Sequence, residues 1–448
     1  MNALFRYFAT GADRPVIEDI ARIDAVYRSN RLRVMLAITL GYGVIYTCRL
    51  AIGVVKKPLI DAEIFSPAEL GQIGSALFYT YALGKLTNGF LADHANMKRF
   101  LAAGFLLSAL CNIGMGFSTT LTLSIVLWGL NGWFQSLGAP AGVVAMTAWF
   151  SNRERGRFYG IWSTAHSLGE GLTFLVVGTV VAFWGWQAGF WVPGIVGIAA
   201  AFFVYRLLPD RPPTLGLPCV ADWRNDHYVG DERSARAPGV FALQRSILRI
   251  PAVWVLALSS ASIYVTRYAI NSWGVLYLQE MRGYSLPTAG SLLMLSTLAG
   301  IAGAVAYGYL SDKLFDARRP PANLLFAILE LAGLALIFFG PANTPILVIG
   351  LVLFGAGLTG LVTSLGGLFA VDICPKRVAG AAMGLIGVFS YLGAALQEHV
   401  SGTLIQRGMT MADGVRTYDF DAAIAFWIGA SLLSLALSAS LWRVRLRD

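Results

Sequence analysis

Charged residues are scarce in this chain. Aspartate, glutamate, lysine and arginine together make up 13% of its 448 residues, whereas 56% of the residues are hydrophobic. A soluble domain usually has about 25% charged residues. The composition therefore excludes an ordinary soluble protein and predicts a protein that crosses a membrane many times.

Cysteine and histidine are also rare, with four residues of each. The cysteines Cys48, Cys111, Cys219 and Cys374 are scattered, so their spacing predicts neither a disulfide framework nor a metal site. The apolar segments contain no pair of nucleophile and base. We therefore expect no enzyme, no metal and no cofactor.

Twelve apolar stretches of about 20 residues are each long enough to cross the ~30 Å hydrocarbon core of a bilayer. These predicted spans 1 to 12 cover residues 34–55, 70–92, 99–118, 120–148, 157–183, 186–207, 251–279, 286–310, 321–340, 345–371, 378–401 and 422–442. The pattern predicts an all-α membrane protein with twelve transmembrane helices in contact with lipid.

The basic residues are distributed unevenly between the loops. Of the 34 lysines and arginines, 26 fall in tails and loops on the side of the two termini. Five are predicted on the other side: Lys56, Lys57, Arg282, Arg407 and Arg416. This bias predicts a bacterial inner-membrane protein with both termini in the cytoplasm. The net charge of +9 then reflects topology, and we expect no nucleic-acid partner.

The longest break between the apolar stretches is polar and begins Pro209-Asp210-Arg211-Pro212-Pro213, as a linker does. It divides the spans into six plus six. We predict a cytoplasmic segment at 1–33, a six-helix half at 34–207, a cytoplasmic linker at 208–249, a second six-helix half at 250–442 and a cytoplasmic tail at 443–448.

The two halves repeat each other. The Gly-x-x-x-Asp loop that ends at Asp93 recurs 219 residues later at Asp312, and Arg153 recurs 224 residues later at Arg377. Two parallel six-helix halves with a site between them at the membrane midplane are typical of transporters. We predict that Asp93, Arg153, Asp312 and Arg377 belong to gating loops.

Only three lysines and arginines are predicted well inside the spans, away from their ends: Arg49, Lys85 and Arg267. Such a cation costs about 2.5–3.5 kcal/mol on insertion scales and rarely remains without a partner. Glu170 and Glu330 are the carboxylates predicted well inside spans. Three cations against two acids leave a net positive interior, which predicts a binding site for an anion.

Each predicted cation has a tyrosine on its own helix face. Guanidinium groups form paired bonds with phosphate, and phenol hydroxyls add donors, so the pattern favours a phosphate. The predicted pocket consists of Tyr42, Tyr46, Tyr81, Tyr264, Asn271, Tyr391, Trp162 and Gln135.

Span 5 places Trp162, His166 and Glu170 at intervals of four residues, on one helix face. His166 is the histidine predicted deepest in a span, where it either binds phosphate or packs as a hydrogen-bonded core residue. Glu170 either pairs with His166 or Lys85, or faces a lumen without a defined role.

The motifs resemble the organophosphate:phosphate antiporter family of the major facilitator superfamily, in particular its hexose-phosphate sensor and transporter branch. The resemblance rests on Gly41-Tyr-Gly-Val-Ile-Tyr-Thr-Cys-Arg49, Tyr81-Ala-Leu-Gly-Lys85, Trp162-Ser-Thr-Ala-His166, Tyr264-Val-Thr-Arg267 and Asn271-Ser-Trp273. It implies the major facilitator fold, with two pseudo-symmetric six-helix halves. It also implies exchange of a sugar phosphate, with hexose 6-phosphate expected, for inorganic phosphate. In this family, the positions of Arg49 and Arg267 bind phosphate, and those of Lys85 and His166 assist.

The chain also departs from the family pattern. Relatives often have Gly-Pro-Gln in span 10, where this chain has Leu361-Val362-Thr363, and some have an Asp/Lys pair where it has Met383 and Ile386. Two alternatives therefore stay open. One is a receptor that senses external glucose 6-phosphate and signals to a histidine kinase. The other is a proton-coupled exporter of an organic anion that uses Glu170 or His166 as its proton site. A monomer is expected in each case.

Overall fold

The structure, a computed structural model, describes residues 3–226, 247–316, 318–374, 379–412 and 415–444. Arg377, one of the predicted gating residues, lies outside the described residues. Helices dominate the described part, and the twelve predicted spans are all helical, which confirms the all-α fold with two six-helix halves. By length and composition alone, ten of the described helical segments are able to cross a membrane.

In the first half, three spans are single helices and three are interrupted. Span 1 comprises Ile20–Ile45 and Thr47–Asp61, span 2 is Pro67–His94 and span 3 is Met97–Met115. Span 4 comprises Leu121–Gln135 and Gly138–Trp149, and span 6 is Ala188–Leu207. Span 5 runs through Asn152–Leu172, a π-helical turn at Thr173–Val177, and Gly178–Trp184.

In the second half, span 7 comprises Pro251–Tyr268, a π-helical turn at Ala269–Trp273, and Gly274–Glu280. Span 8 is Leu286–Lys313, span 9 is Arg319–Phe339, span 11 is Ala379–Arg407 and span 12 is Asp421–Ser440. Span 10 runs through Thr344–Thr363, a π-helical turn at Ser364–Leu368, and Phe369–Ile373. Strands β1 (Met409–Ala412) and β2 (Val415–Tyr418) pair antiparallel between spans 11 and 12. Within the described residues, three short helices lie outside the spans: Ala3–Phe8, the 3₁₀ turn Pro212–Leu215, and Val220–Arg224.

Two features of the spans have local physical causes. Span 1 begins at Ile20 instead of residue 34, because Asp19 caps its first helix by accepting bonds from the backbone N–H groups of Ala21 and Arg22 at 2.9 and 3.3 Å. Span 4 is interrupted between Gln135 and Gly138, just before Pro140. Proline at this position clashes with the carbonyl group four residues earlier, which interrupts the helix.

The predicted linker folds back on the N-terminal segment. The ring of Trp223 stacks on Tyr27 with centroids 4.0 Å apart, and its indole N–H donates to Asp24 at 2.6 Å. The Tyr27 hydroxyl donates to the carbonyl oxygen of Pro218 at 2.7 Å. These contacts hold the described start of the linker against the first half.

The two halves meet at one end of the bundle and separate at the other. We call the end with both termini the near end and the opposite end the far end. At the far end, a Cβ atom on Gly53 would lie 2.8 Å from the carbonyl oxygen of Asn271, and one on Gly71 would lie 2.5 Å from that of Glu398. At the near end, a Cβ on Gly89 or Gly308 would meet no atom within 4 Å. The space between the halves therefore opens toward the near end.

Replacing Gly71 with alanine should lower the thermal unfolding temperature of the detergent-solubilised protein by several degrees. The new methyl group would contact backbone of span 11, which is not able to move aside, so spans 2 and 11 must separate. Gly89→Ala is the matched control, because it lies on the same helix in open space and gains helix propensity. An equal effect of the two substitutions would contradict this packing.

Candidate functional site

A cavity of about 580 Å³ lies between the two halves. Its walls come from spans 1, 2, 4, 5, 7, 8, 10 and 11. Nine of the predicted site residues line it: Tyr42, Tyr46, Arg49, Tyr81, Lys85, His166, Tyr264, Arg267 and Tyr391. The charged groups of the lining are three cations and Glu170, so the cavity has a net charge of +2 with His166 neutral.

Arg49 is buried, with 2% of its surface exposed, directly after the interruption of span 1 at Tyr46. Its guanidinium carbon lies 4.4 Å from the ring centroid of Tyr46 and 4.5 Å from that of Tyr81. The guanidinium donates to the Tyr391 hydroxyl at 3.4 Å and to Gln135 Oε1 at 3.3 Å. In the part of the chain that the structure describes, neutral groups alone contact this charge, and Nε has no partner. A buried cation of this kind favours an anionic ligand.

Gln135 lies behind Arg49, outside the cavity lining. Its amide nitrogen donates to the carbonyl oxygen of Ile45 at 3.0 Å and to Ser108 Oγ at 2.8 Å. These two bonds orient the amide so that its oxygen faces the guanidinium. The geometry therefore gives Gln135 a positioning role toward Arg49, and not direct contact with a ligand in the cavity.

Arg267 differs from Arg49, because it has a carboxylate partner. Its guanidinium lies 2.9 Å from Glu170 Oε2, and the side-chain amide of Asn271 donates to Glu170 Oε1 at 2.8 Å. Of the two alternatives for Glu170, the pairing with His166 or Lys85 is therefore wrong; the carboxylate faces the cavity and is bound to Arg267. The bond joins span 5 of the first half to span 7 of the second, and it places Asn271 behind the carboxylate instead of in the cavity lining.

Lys85 and His166 face the cavity without ion-pair partners in the described chain. The Lys85 ammonium lies 5.2 Å from the ring centroid of Tyr391, and a Cβ on Gly387 would lie 2.7 Å from it, so this side chain reaches across to span 11. The His166 ring lies 6.3 Å from that of Tyr46. Both side chains are therefore available to a ligand in the cavity.

Aromatic rings link the two arginines. Tyr391 stacks on Tyr81 with centroids 4.2 Å apart and lies edge-on to Tyr264 at 5.6 Å. The Arg267 guanidinium in turn lies 5.6 Å from the Tyr264 centroid. Trp162 is outside the lining: its N–H donates to the carbonyl oxygen of Ile38 at 3.2 Å, and its ring lies 5.5 Å from that of Tyr42. It supports the tyrosine wall from behind.

The three gating residues that the structure describes, Asp93, Arg153 and Asp312, lie at the near end, outside the cavity lining. Asp312 pairs with Arg319 at 3.0 Å, whereas the structure gives Asp93 no ion pair within the described ranges. The Arg153 backbone N–H donates to Asp226 at 2.9 Å, and this bond lowers the pKa of the Asp226 carboxyl in the linker. The two repeated loops that end at Asp93 and Asp312 thus differ in their ion pairs.

The sequence prediction missed a second charged cluster. Lys56, predicted in a loop, is fully buried in span 1. Its ammonium donates to Glu398 Oε2 at 2.9 Å and to Ser272 Oγ at 2.7 Å, and lies 3.3 Å from the Trp273 ring centroid. The Trp273 N–H also donates to Glu398, at 3.1 Å. The expectation that three cations and two acids lie inside the spans is therefore wrong.

The local sequence around Lys56 favoured a loop instead of a buried ion pair with Glu398. Lys56 and Lys57 precede Pro58, which is typical of a helix end, but the helix continues to Asp61.

In the described ranges, no group of three or more histidine, cysteine, aspartate or glutamate residues is arranged to hold a metal ion. The cavity lining offers paired charge and aromatic surface.

Comparisons with known proteins agree with this architecture. The family model of the Major Facilitator Superfamily matches residues 38–397. The chain is 35% identical over 393 residues to the membrane sensor protein UhpC of Escherichia coli, covering 86% of this chain and 88% of that one. It is 31% identical over 420 residues to a probable hexose phosphate transport protein of Chlamydia pneumoniae, covering 90% and 91%.

Among solved structures, a bacterial homologue of the human lysosomal transporter Spinster, inward-facing and unoccupied, has a similar fold. The TM-score is 0.76 at 17% sequence identity, covering 94% of this chain and 99% of that one. At this identity the likeness concerns the fold alone.

Proposed function

The chain belongs to the major facilitator superfamily, in its organophosphate:phosphate antiporter branch, and on this premise we propose that it exchanges a sugar phosphate for inorganic phosphate. Hexose 6-phosphate is the expected sugar phosphate, and the movement is alternating access. The proposal depends on Arg49, a buried guanidinium that has neutral side-chain partners and lines the cavity of about 580 Å³ between the two halves. The relatives named hexose phosphate transport protein and membrane sensor protein agree with this substrate class.

The substrate phosphate binds between Arg49 and Arg267, which belong to different halves and line the same cavity. Lys85 adds charge, His166 assists, and the rings of Tyr46, Tyr81, Tyr264 and Tyr391 form the surface against which a sugar packs. A ligand that bridges the two halves binds more tightly when they approach each other. It therefore shifts the population toward states that are closed at the near end.

The positive-inside bias orients the carrier in a bacterial inner membrane with both termini in the cytoplasm. The cavity then faces the cytoplasm in this conformation, with the far end closed on the periplasmic side. The functional unit is a monomer, because one chain supplies both halves of the cavity.

The proposal is tested in liposomes loaded with inorganic phosphate, by measuring uptake of labelled glucose 6-phosphate, with Arg267→Lys as the control variant. Uptake that requires internal phosphate and is lost in the variant supports the exchange. The absence of both binding and uptake contradicts glucose 6-phosphate as the substrate, and a series of other phosphate esters then replaces it.

A receptor is the second candidate function, and the 35% identity to a membrane sensor protein favours it. In this alternative the cavity binds external glucose 6-phosphate, and the protein signals to a membrane histidine kinase with little flux. The same liposomes distinguish the two functions, because a receptor binds the sugar phosphate without accumulating it.

Replacing Gln135 with glutamate should weaken phosphate binding by about tenfold or more. The two side chains have nearly the same shape, but a carboxylate at 3.3 Å would form an ion pair with Arg49 and neutralise it. The measurement is phosphate affinity by calorimetry on purified protein. Gln187→Glu, in the loop before span 6, is the control, and unchanged affinity in Gln135→Glu would refute the positioning role.

A further inference from the structure

The two cavity arginines differ in one respect that bears on transport. Arg49 has only neutral partners within the described residues, whereas Arg267 is already bound to Glu170 at 2.9 Å. The pair is well shielded from water, with the two side chains 11% and 9% exposed, and Asn271 holds the carboxylate from behind at 2.8 Å. Glu170 and Arg267 also both line the cavity.

A carboxylate at this position has a direct effect on an incoming phosphate. Both are oxygen anions, and both are attracted to the same guanidinium. A phosphate that reaches Arg267 either displaces Glu170 or remains close to its negative charge. A charge within about 4–6 Å typically changes the ionisation equilibrium of a neighbouring group by tenfold or more, and we expect an effect of similar size on the binding of an anion. In the empty cavity, the Glu170 carboxylate lowers the net charge of the lining from +3 to +2.

We propose that Glu170 is a tethered anion that occupies Arg267 when the cavity is empty and competes there with the substrate phosphate. The inference rests on the proposed function and adds a regulation of the same site. Phosphate affinity is set by this competition, so it is lower than two free arginines would provide.

The same ion pair changes how the empty carrier moves. A strict exchanger needs an empty state that crosses slowly, and two unpaired central arginines would provide this, because exposed charge must be buried as the halves rock. Here Glu170 neutralises one of the two arginines, and it links span 5 to span 7 across the halves. The empty carrier therefore changes sides more readily than one with two unpaired arginines, which adds a minor flux without counter-substrate to the predominant exchange.

Glu170→Gln tests the proposal, because the amide keeps the shape and the oxygen that accepts from Asn271 but loses the charge. Two quantities are measured on the full-length protein: the affinity for inorganic phosphate by calorimetry, and phosphate efflux from liposomes with and without external phosphate. We expect roughly tenfold tighter binding, and a fall in efflux without external phosphate relative to exchange.

Glu330→Gln is the matched control. Glu330 is also a fully buried carboxylate, but it accepts a bond from Ser431 in the second half and does not line the cavity. Its substitution should leave the phosphate affinity and the ratio of efflux to exchange unchanged.

Phosphate affinity in Glu170→Gln that is equal to or below that of the wild type overturns the inference, because a residue that only positions Arg267 gives that result. If Arg49→Gln abolishes binding in the same assay, the proposed phosphate site survives and only the role of Glu170 fails. Absence of phosphate binding to the wild type overturns both.

Discussion

Replacing Arg49 with lysine should reduce sugar phosphate exchange to about one hundredth of the wild-type rate or less. The substitution keeps the positive charge, so a site that needed charge alone would tolerate it. Arg49, however, uses the planar shape of its guanidinium: it lies between the rings of Tyr46 and Tyr81 and donates sideways to Gln135 and Tyr391. A lysine ammonium is a compact, strongly hydrated charge that does not reproduce the paired bonds to phosphate.

The measurement is phosphate-driven uptake of labelled glucose 6-phosphate in liposomes, with the amount of folded protein checked by size-exclusion chromatography. Arg206→Lys is the control, because Arg206 is exposed near the end of span 6 and lies over Phe202, outside the cavity. Uptake by Arg49→Lys that remains within threefold of the wild type would refute the role of the guanidinium.

The membrane-spanning architecture was predictable because its cause acts on each segment separately. A helix that crosses hydrocarbon needs about 20 mostly apolar residues, and its backbone polar groups must bond within the helix. The ends of the spans were less predictable. Span 1 was expected to end at residue 55, but it continues to Asp61, because Lys56 is neutralised by Glu398, which lies 342 positions away in the sequence. Local hydropathy does not record such a partner.

The residues of the cavity were predictable from charge and helix face, but their partners were not. Glu170 lies one helical turn after His166, so periodicity favoured an interaction within span 5. The packing of the two halves decides otherwise and brings Arg267 to 2.9 Å from it. Gln135 is a similar case, because the rotation of span 4 places it behind Arg49 instead of in the cavity. Helix rotation depends on many distant contacts that a single sequence does not reveal.

The second large effect is expected at the far end, where Glu398→Gln should open the contact between the halves. Lys56 belongs to the first half and Glu398 to the second, so their ion pair joins the halves across the closed far end, and opening would separate the two charges. Removing one partner of a buried pair costs about 3–5 kcal/mol, because the other charge is left buried and uncompensated. The protein is able to avoid this cost by opening the far end, where water solvates Lys56. A difference of about 3 kcal/mol changes the ratio of the two conformations by more than a hundredfold.

Opening of the far end is measured by labelling a cysteine that replaces Ser75. The Ser75 hydroxyl lies between spans 2 and 11, where it donates to the carbonyl oxygen of Ala395 at 2.8 Å. The four native cysteines are replaced by alanine, and the rate of labelling by a water-soluble maleimide is recorded. We expect slow labelling in the otherwise unchanged protein and labelling at least tenfold faster with Glu398→Gln.

The double variant Lys56→Gln with Glu398→Gln separates gating from simple damage. Two neutral amides leave no uncompensated charge in the closed state, so the far end should close again and labelling should slow toward the original rate. Glu330→Gln, which removes a buried carboxylate within the second half alone, should leave labelling unchanged. Labelling that is equally slow in all four proteins would mean that the Lys56–Glu398 pair does not control the far end. The closure would then depend on the glycine contacts of spans 1, 2 and 11.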